Sequence, residues 1–276
     1  MDNLMASIRK LRAETGVGVL DAKDALLQNN GDMAAAKQAL RLKGKAKAAG
    51  KADRVAGDGL VGMHIENGTG VLVEINSETD FAARNSEFAS FVVEVSKIAA
   101  SVDGIPGLLA APMNDSTVEG ELTGKIAQLR ENIVIRRMQK VTGASVAGYI
   151  HNQVVAGAGK IGTLVGSEGL DDHTGRKIAM HVAAARPISL SEEDFPAERT
   201  DQERDVLRKM AENSGKPDHI IEKIVSSGLR TLYTNETLVN QKFVIDPSVT
   251  VSSVVEREGG KITGYAYLKV GEEAEG

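Results

Sequence analysis

The chain has 276 residues, 42% hydrophobic and 26% charged, the make-up of a globular protein large enough to build its own core. It contains no cysteine, which excludes disulfides, thiolate metal sites, iron–sulfur clusters and cysteine nucleophiles together; aromatics reach only 3%, with no Trp, few for a protein that stacks bases. The formal net charge of −5 is uneven: residues 1–54 hold 11 basic against 6 acidic side chains and the remainder 22 against 32, so a basic head on an acidic body points to two surfaces with different partners.

Residues 1–43 read as three short helices. Leu4, Ile8 and Leu11 recur at helical spacing, and Thr15-Gly16-Val17-Gly18 supplies the stop. Asp21 falls in the acidic first turn of a second helix carrying Ala22, Ala25 and Leu26. Asn29-Asn30-Gly31 is a turn, and Asp32 an N-cap for a third helix with Ala35, Ala36, Ala39, Leu40 and Leu42. The segment resembles the ubiquitin-associated type of three-helix bundle. So small a core is marginal alone and suits a unit that presents a face to a partner. Val19 and Leu20 read equally as core and as an exposed binding edge. Residues 44–57, Lys-, Ala- and Gly-rich, read as a basic linker, a solvated and partly helical spacer.

From Asp58 the pattern turns to alternation. Residues 60–65 and 70–75 are strands joined by a Glu66-Asn67-Gly68-Thr69 turn. A helix is expected over 81–100, and a further helix over about 119–140. The strand–turn–strand order recurs about 86 residues on, with strands at 146–151 and 161–166, a helix over 175–185 and a last strand at 262–270. The body is therefore α+β, a duplicated antiparallel sheet with helices. Its N-terminal subdomain covers 58–140 and its C-terminal subdomain 141–276. An insert at 191–245 reads as a coiled-coil-like helical hairpin, the first helix capped by Ser191-Glu192-Glu193-Asp194 and the second starting at Asp218.

Catalytic chemistry is not evident. Gly157-Ala158-Gly159-Lys160-Ile161-Gly162 spells G-x-G-x-x-G, but a strand-like run follows it where a dinucleotide site needs a helix, so it reads as a hairpin loop. The five histidines lack metal-ligand spacing, His181 reads as a helix-surface or core residue, and there is no nucleophile elbow. No metal and no cofactor are expected, and the chain is not expected to be an enzyme. No stretch approaches 18 uncharged apolar residues and the N-terminus lacks signal-peptide features, so a cytoplasmic location is expected, with no membrane partner.

Asn76-Ser77-Glu78-Thr79-Asp80-Phe81-Ala82-Ala83 joins a strand to a helix. Thr79 or Asp80 can cap that helix. Phe81 is core if buried; exposed, it is a wedge whose burial in a partner is worth about 1.5–3 kcal/mol. The whole chain resembles the bacterial elongation factor Ts family, through Leu11-Arg12-Ala13-Glu14-Thr15-Gly16-Val17-Gly18-Val19-Leu20, Asn30-Gly31-Asp32, Glu78-Thr79-Asp80-Phe81, Glu131-Asn132-Ile133-Val134-Ile135-Arg136-Arg137, Ile178-Ala179-Met180-His181-Val182-Ala183-Ala184, Ser214-Gly215-Lys216-Pro217 and Gln241-Lys242-Phe243-Val244.

The resemblance implies a guanine-nucleotide exchange factor for the translational GTPase elongation factor Tu. It implies a Mg²⁺-dislodging wedge of Thr79, Asp80, Phe81 and Ala82, a docking edge on the N-terminal bundle with Arg12, Val19 and Leu20, and a second contact through His151. It leaves open whether two complexes pair into a two-plus-two assembly. Ala82 stands where the family often has Val, which weakens anchoring by about 1 kcal/mol. Val19-Leu20 stand where many relatives have two Met, losing Met's adaptability. The alternative reading is a non-enzymatic RNA-binding module gripping phosphates through the basic linker; the exchange-factor reading expects no direct nucleic-acid contact.

Overall fold

The computed structural model describes residues 2–272; Met1 and the last four residues of the expected C-terminal subdomain lie outside that range. Helices α1 (Asp2–Thr15), α2 (Val19–Gln28) and α3 (Met33–Ala49) form the N-terminal bundle. Ile8, Leu11, Ala22, Ala25, Leu26, Ala36 and Leu40 fill its core. Asp32 caps α3, its carboxylate accepting from the Ala34 and Ala35 N–H groups at 2.8 and 3.1 Å. Leu42, expected on the apolar face, is exposed.

Strands β1 (Asp58–Glu66) and β2 (Thr69–Ser77) pair along their whole length around Asn67-Gly68, both at positive φ. Asn and Gly tolerate that conformation, and the tight turn it makes matches strand twist. The helix expected over 81–100 is two, α4 (Asp80–Ala83) and α5 (Ser86–Ala99). Asn85 is the reason: its side-chain oxygen accepts from the Glu87 and Phe88 N–H groups and starts α5 afresh. α5 lies on the sheet with Phe88, Phe91, Val92 and Val95 buried. Gly62 permits this approach, since a Cβ there would strike Ser96 and Val92.

Helix α6 (Gly104–Ala110), the short strands β3 (Pro112–Met113) and β4 (Ser116–Thr117), and α7 (Val118–Leu129) complete the first core. The helix expected over 119–140 stops at Leu129, because Arg130 turns left-handed at φ 61°. Residues beyond it form strand β5 (Ile133–Thr142), with Ile133 and Ile135 buried and Val134 and Arg136 exposed. That alternation belongs to a strand.

Strands β6 (Ser145–Val155) and β7 (Ala158–Glu168) form the second hairpin. Only Gly157 of the glycine motif lies in the turn; the rest of the motif starts β7. Helix α8 (Asp172–Ala185) follows, then the insert as α9 (Ala197–Asn213) and α10 (Asp218–Glu236). α9 starts six residues later than 191, after Pro196. The two helices pack through Ala211, Ile221 and Val225 and are cross-linked by Arg199–Glu236 and Arg208–Glu222 ion pairs, as an antiparallel hairpin requires. The short strands β8 (Lys242–Phe243) and β9 (Asp246–Thr250), helix α11 (Val251–Arg257) and strand β10 (Lys261–Lys269) end the described chain.

Six strands make one antiparallel sheet in the order β10-β7-β1-β2-β5, with β6 beside β7. The sheet curls around Val61, Leu72, Val141, Leu164 and Leu268. Its β5 and β10 edges meet through side chains: Gln139 accepts from the Tyr267 N–H at 3.1 Å, and Arg137 donates to the Lys269 carbonyl at 3.1 Å. Beneath this seam Glu74 is fully buried. Its carboxylate accepts from Arg137 Nε at 2.6 Å, the Gly271 N–H at 2.8 Å and Asn76 Nδ2 at 3.0 Å.

Candidate functional site

The β2–α4 junction carries the clearest anomaly. Of the five Phe, Phe88, Phe91, Phe195 and Phe243 are 8% exposed or less, whereas Phe81 is 83% exposed. Its core reading is therefore excluded. Leaving a Phe in water forgoes about 1.5–3 kcal/mol of burial. Thr79 caps α4, its hydroxyl accepting from the Ala82 N–H at 3.3 Å. Asp80 faces Arg84 at 3.1 Å, a largely exposed pair, whereas Ala82, expected as part of the wedge, is buried in the free chain and faces inward.

The backbone beneath Phe81 is braced from the α7–β5 junction. Glu131 accepts from the Thr79 N–H at 3.1 Å and from its hydroxyl at 2.5 Å. Glu78 reciprocates, accepting from the Asn132 N–H at 2.6 Å. Ser77 Oγ donates to the Thr79 carbonyl at 3.0 Å. Buried Asn132 donates to the Arg54 carbonyl at 2.7 Å, which ties in the end of the basic segment.

That basic segment is not a free spacer. α3 runs through it to Ala49, and Gly44 is buried facing Thr123 and Ala127 of α7. Lys51 donates to the Ile126 carbonyl at 3.2 Å; burial, with Arg54 nearby, pushes its ammonium pKa below the usual lysine value. Lys43 and Lys47 both pair with Asp21, at 2.7 and 3.6 Å. The hydrogen bond from Lys43 is the main reason the Asp21 carboxyl sits below its ordinary range.

At the bundle edge Val19 is 47% and Leu20 74% exposed, so neither is core. Arg12 is exposed beside them and donates to the Val17 carbonyl at 3.4 Å. Gly16 lies so close to the Gln128 amide that a Cβ there would come within 3.1 Å, and Gln128 in turn donates to Glu87 of α5. The end of α7 and the junction that follows it thus reach both exposed apolar points: Gln128 lies against Gly16 of the bundle loop, and Glu131 holds the Phe81 turn.

His151 is exposed on β6, its Nδ1 3.0 Å from the Tyr149 hydroxyl. Arg176 sits over the Tyr149 ring at 5.7 Å. His181 is buried; its Nδ1 accepts from the Val244 N–H at 3.1 Å, so Nε2 carries the proton and donates to Gln241 at 2.9 Å. Burial lowers its pKa, against the opposing pull of Gln241. Met180, beside it in α8, and Val244 and Ile245 of the β8–β9 turn are exposed; only the fold brings that turn to His181. Among the described residues no group of three or more His, Asp or Glu is placed to hold a metal ion, and no helix is long and apolar enough to cross a membrane.

The family model described as elongation factor TS matches residues 78–272. The chain belongs to the elongation factor Ts family. It is similar to elongation factor Ts of Ruegeria sp. (strain TM1040), 44% identical over 267 residues that cover 97% of this chain and 92% of that protein. Elongation factor Ts of Cereibacter sphaeroides (strain ATCC 17029 / ATH 2.4.9) is 45% identical over 272 residues, covering 96% and 91%. That of Dinoroseobacter shibae is 44% identical over 267 residues. Membership in the elongation factor Ts family places the chain among the translation elongation factors of protein biosynthesis.

Proposed function

We propose that the chain is the guanine-nucleotide exchange factor for elongation factor Tu, and that Phe81 is its working part. The observation that carries this reading is one fully presented Phe on a hydrogen-bonded platform, in a member of the elongation factor Ts family. Phe81 enters an apolar pocket between helices of the partner's GTPase domain, and Asp80 sets its approach. The displaced helices disturb the phosphate loop and the Mg²⁺ site of the partner. Loss of the ion removes the charge that holds the diphosphate, so GDP leaves faster. GTP rebinding then displaces the factor.

Such a protein forms and breaks no covalent bond of its own and is not an enzyme in that sense. It works through differential affinity for nucleotide-bound and nucleotide-free partner. The bundle, which we read as ubiquitin-associated in type, docks on the same GTPase domain through Arg12, Val19 and Leu20. The second half, with His151, reaches another domain of the partner. Both proteins act in the cytoplasm in this scheme. The RNA-arm reading loses support from the internal partners of Lys43, Lys47 and Lys51.

The test is stopped-flow release of a fluorescent GDP from elongation factor Tu. The chain should accelerate release, and Phe81→Ala should remove most of the acceleration. Full acceleration by Phe81→Ala, or none by the parent, defeats the proposal.

A further inference from the structure

Both carboxylate oxygens of Glu131 point at a single residue. Oε2 accepts from the Thr79 N–H and Oε1 from the Thr79 hydroxyl. With its proton committed to Glu131, the hydroxyl turns a lone pair to the Ala82 N–H and caps α4. A helix of four residues has almost no stability of its own, so its cap and the strand before it decide whether it forms. Phe81 lies in this turn, and at 83% exposure no packing orients it. Its bearing comes from the backbone alone.

Glu131 is itself firmly seated. It precedes β5, whose pairing with β2 begins at Ser77 opposite Ile133. Its neighbour Asn132 is buried, donates to the Ala52 and Arg54 carbonyls, and gives its N–H to Glu78. The link to Thr79 crosses 52 residues of sequence, so it joins a rigid junction to a marginal one.

Resting on the wedge reading above, we propose that Glu131 is a positioning residue for nucleotide exchange. It acts through Thr79, holding the α4 turn formed before the partner arrives, so that no ordering cost falls on the insertion of Phe81. Loss of this brace shows in the rate of release from the assembled complex. The bundle edge and the second half still hold the factor in place. Simple loss of folded protein behaves differently: it lowers the active concentration, and adding more protein restores the full rate.

The experiment follows fluorescent GDP release from elongation factor Tu across concentrations of the full chain. Glu131→Ala should lower the saturating rate about tenfold, the scale of one charge-assisted hydrogen bond, with the half-saturating concentration within about twofold of the parent's. Glu131→Gln keeps one acceptor but sets an amide donor against the donors of Thr79, and should fall between. In a Phe81→Ala background, adding Glu131→Ala should change the saturating rate by less than about twofold, because the residue acts through Phe81. A loss of equal size in both backgrounds, or one confined to the half-saturating concentration, overturns the proposal.

The two readings fail separately. If Phe81→Ala alone releases GDP at the parent's rate, the wedge reading falls and takes this proposal with it. If Phe81→Ala is inactive while Glu131→Ala is fully active, only the positioning role falls. A readout without the partner is also at hand. The chain has no Trp, so Phe81→Trp places a single reporter on the turn. Its nanosecond anisotropy should drop further when Glu131→Ala is added; unchanged anisotropy refutes the proposed ordering.

Discussion

Glu74→Gln tests whether the seam of the curled sheet is held electrostatically. Glu74 is fully buried and its carboxylate accepts from Arg137, Asn76 and the Gly271 N–H. Removing its charge leaves Arg137 without a counter-ion, and breaking a buried pair costs about 3–5 kcal/mol. Arg137 keeps 23% of its side chain exposed, so water screens part of the loss and the lower end, about 3 kcal/mol, is expected. With a urea slope of about 2–3 kcal/mol per molar, the midpoint should fall by about 1–1.5 M. Circular dichroism reads that midpoint, and hydrogen exchange should show early opening at Gly271. The double variant Glu74→Met with Arg137→Met removes both charges and should regain much of the stability. A shift under about 0.3 M for Glu74→Gln, or a double variant that loses the sum of the two singles, would refute the assignment.

Phe81→Ala should leave the thermal midpoint of the free chain within about 2 °C, since an exposed side chain carries little folding energy; a larger fall would mean that Phe81 packs internally. Gly62→Ala should destabilise the chain by about 1–3 kcal/mol through overpacking against Val92 and Ser96, measured by urea unfolding, and an unchanged midpoint would show that α5 can retreat at no cost. His181 has a folded pKa below its unfolded value of 6.5, so below that pH the unfolded chain binds the extra proton and stability falls as pH drops. His181→Gln should flatten this part of the stability–pH curve, and an equal slope in both proteins would assign the dependence elsewhere.

Local signals were legible where local chemistry decides. Asn67-Gly68 names its own turn, and Asp32 caps α3 as its position before an Ala-rich run suggests. The β5 segment shows the opposite case. Arg136, Arg137, Gln139 and Lys140 suit a helix surface, and they mask the Ile133-Val134-Ile135 alternation until the left-handed Arg130 ends α7. Asn85 restarts a helix inside an apolar run that looks continuous, because a cap and an interior Asn are the same letter. Ser191 to Asp194 look like a cap, yet the helix waits for Pro196.

The exposure of Phe81, Val19 and Leu20 is a tertiary fact. An apolar letter defaults to core, and only the assembled surface shows these three exposed. The docking of α3 on α7 is hidden for a related reason: Gly44 and Ala48 make a contact face too small to register as apolar periodicity.

The two hairpins of the body share one sheet, with β7 paired to both β10 and β1 and the far edges laced by Arg137 and Gln139. A pair of domains on a linker can open and shut; two halves of one sheet cannot. The turn that presents Phe81 and the strand that presents His151 therefore behave like the jaws of a caliper locked at one opening. In the exchange reading proposed above, a partner whose two contacted domains moved relative to each other would meet both jaws in only one of its arrangements. In the others it would satisfy one contact at a time, so on that reading selectivity among its states would come from the span between contacts as much as from either contact itself.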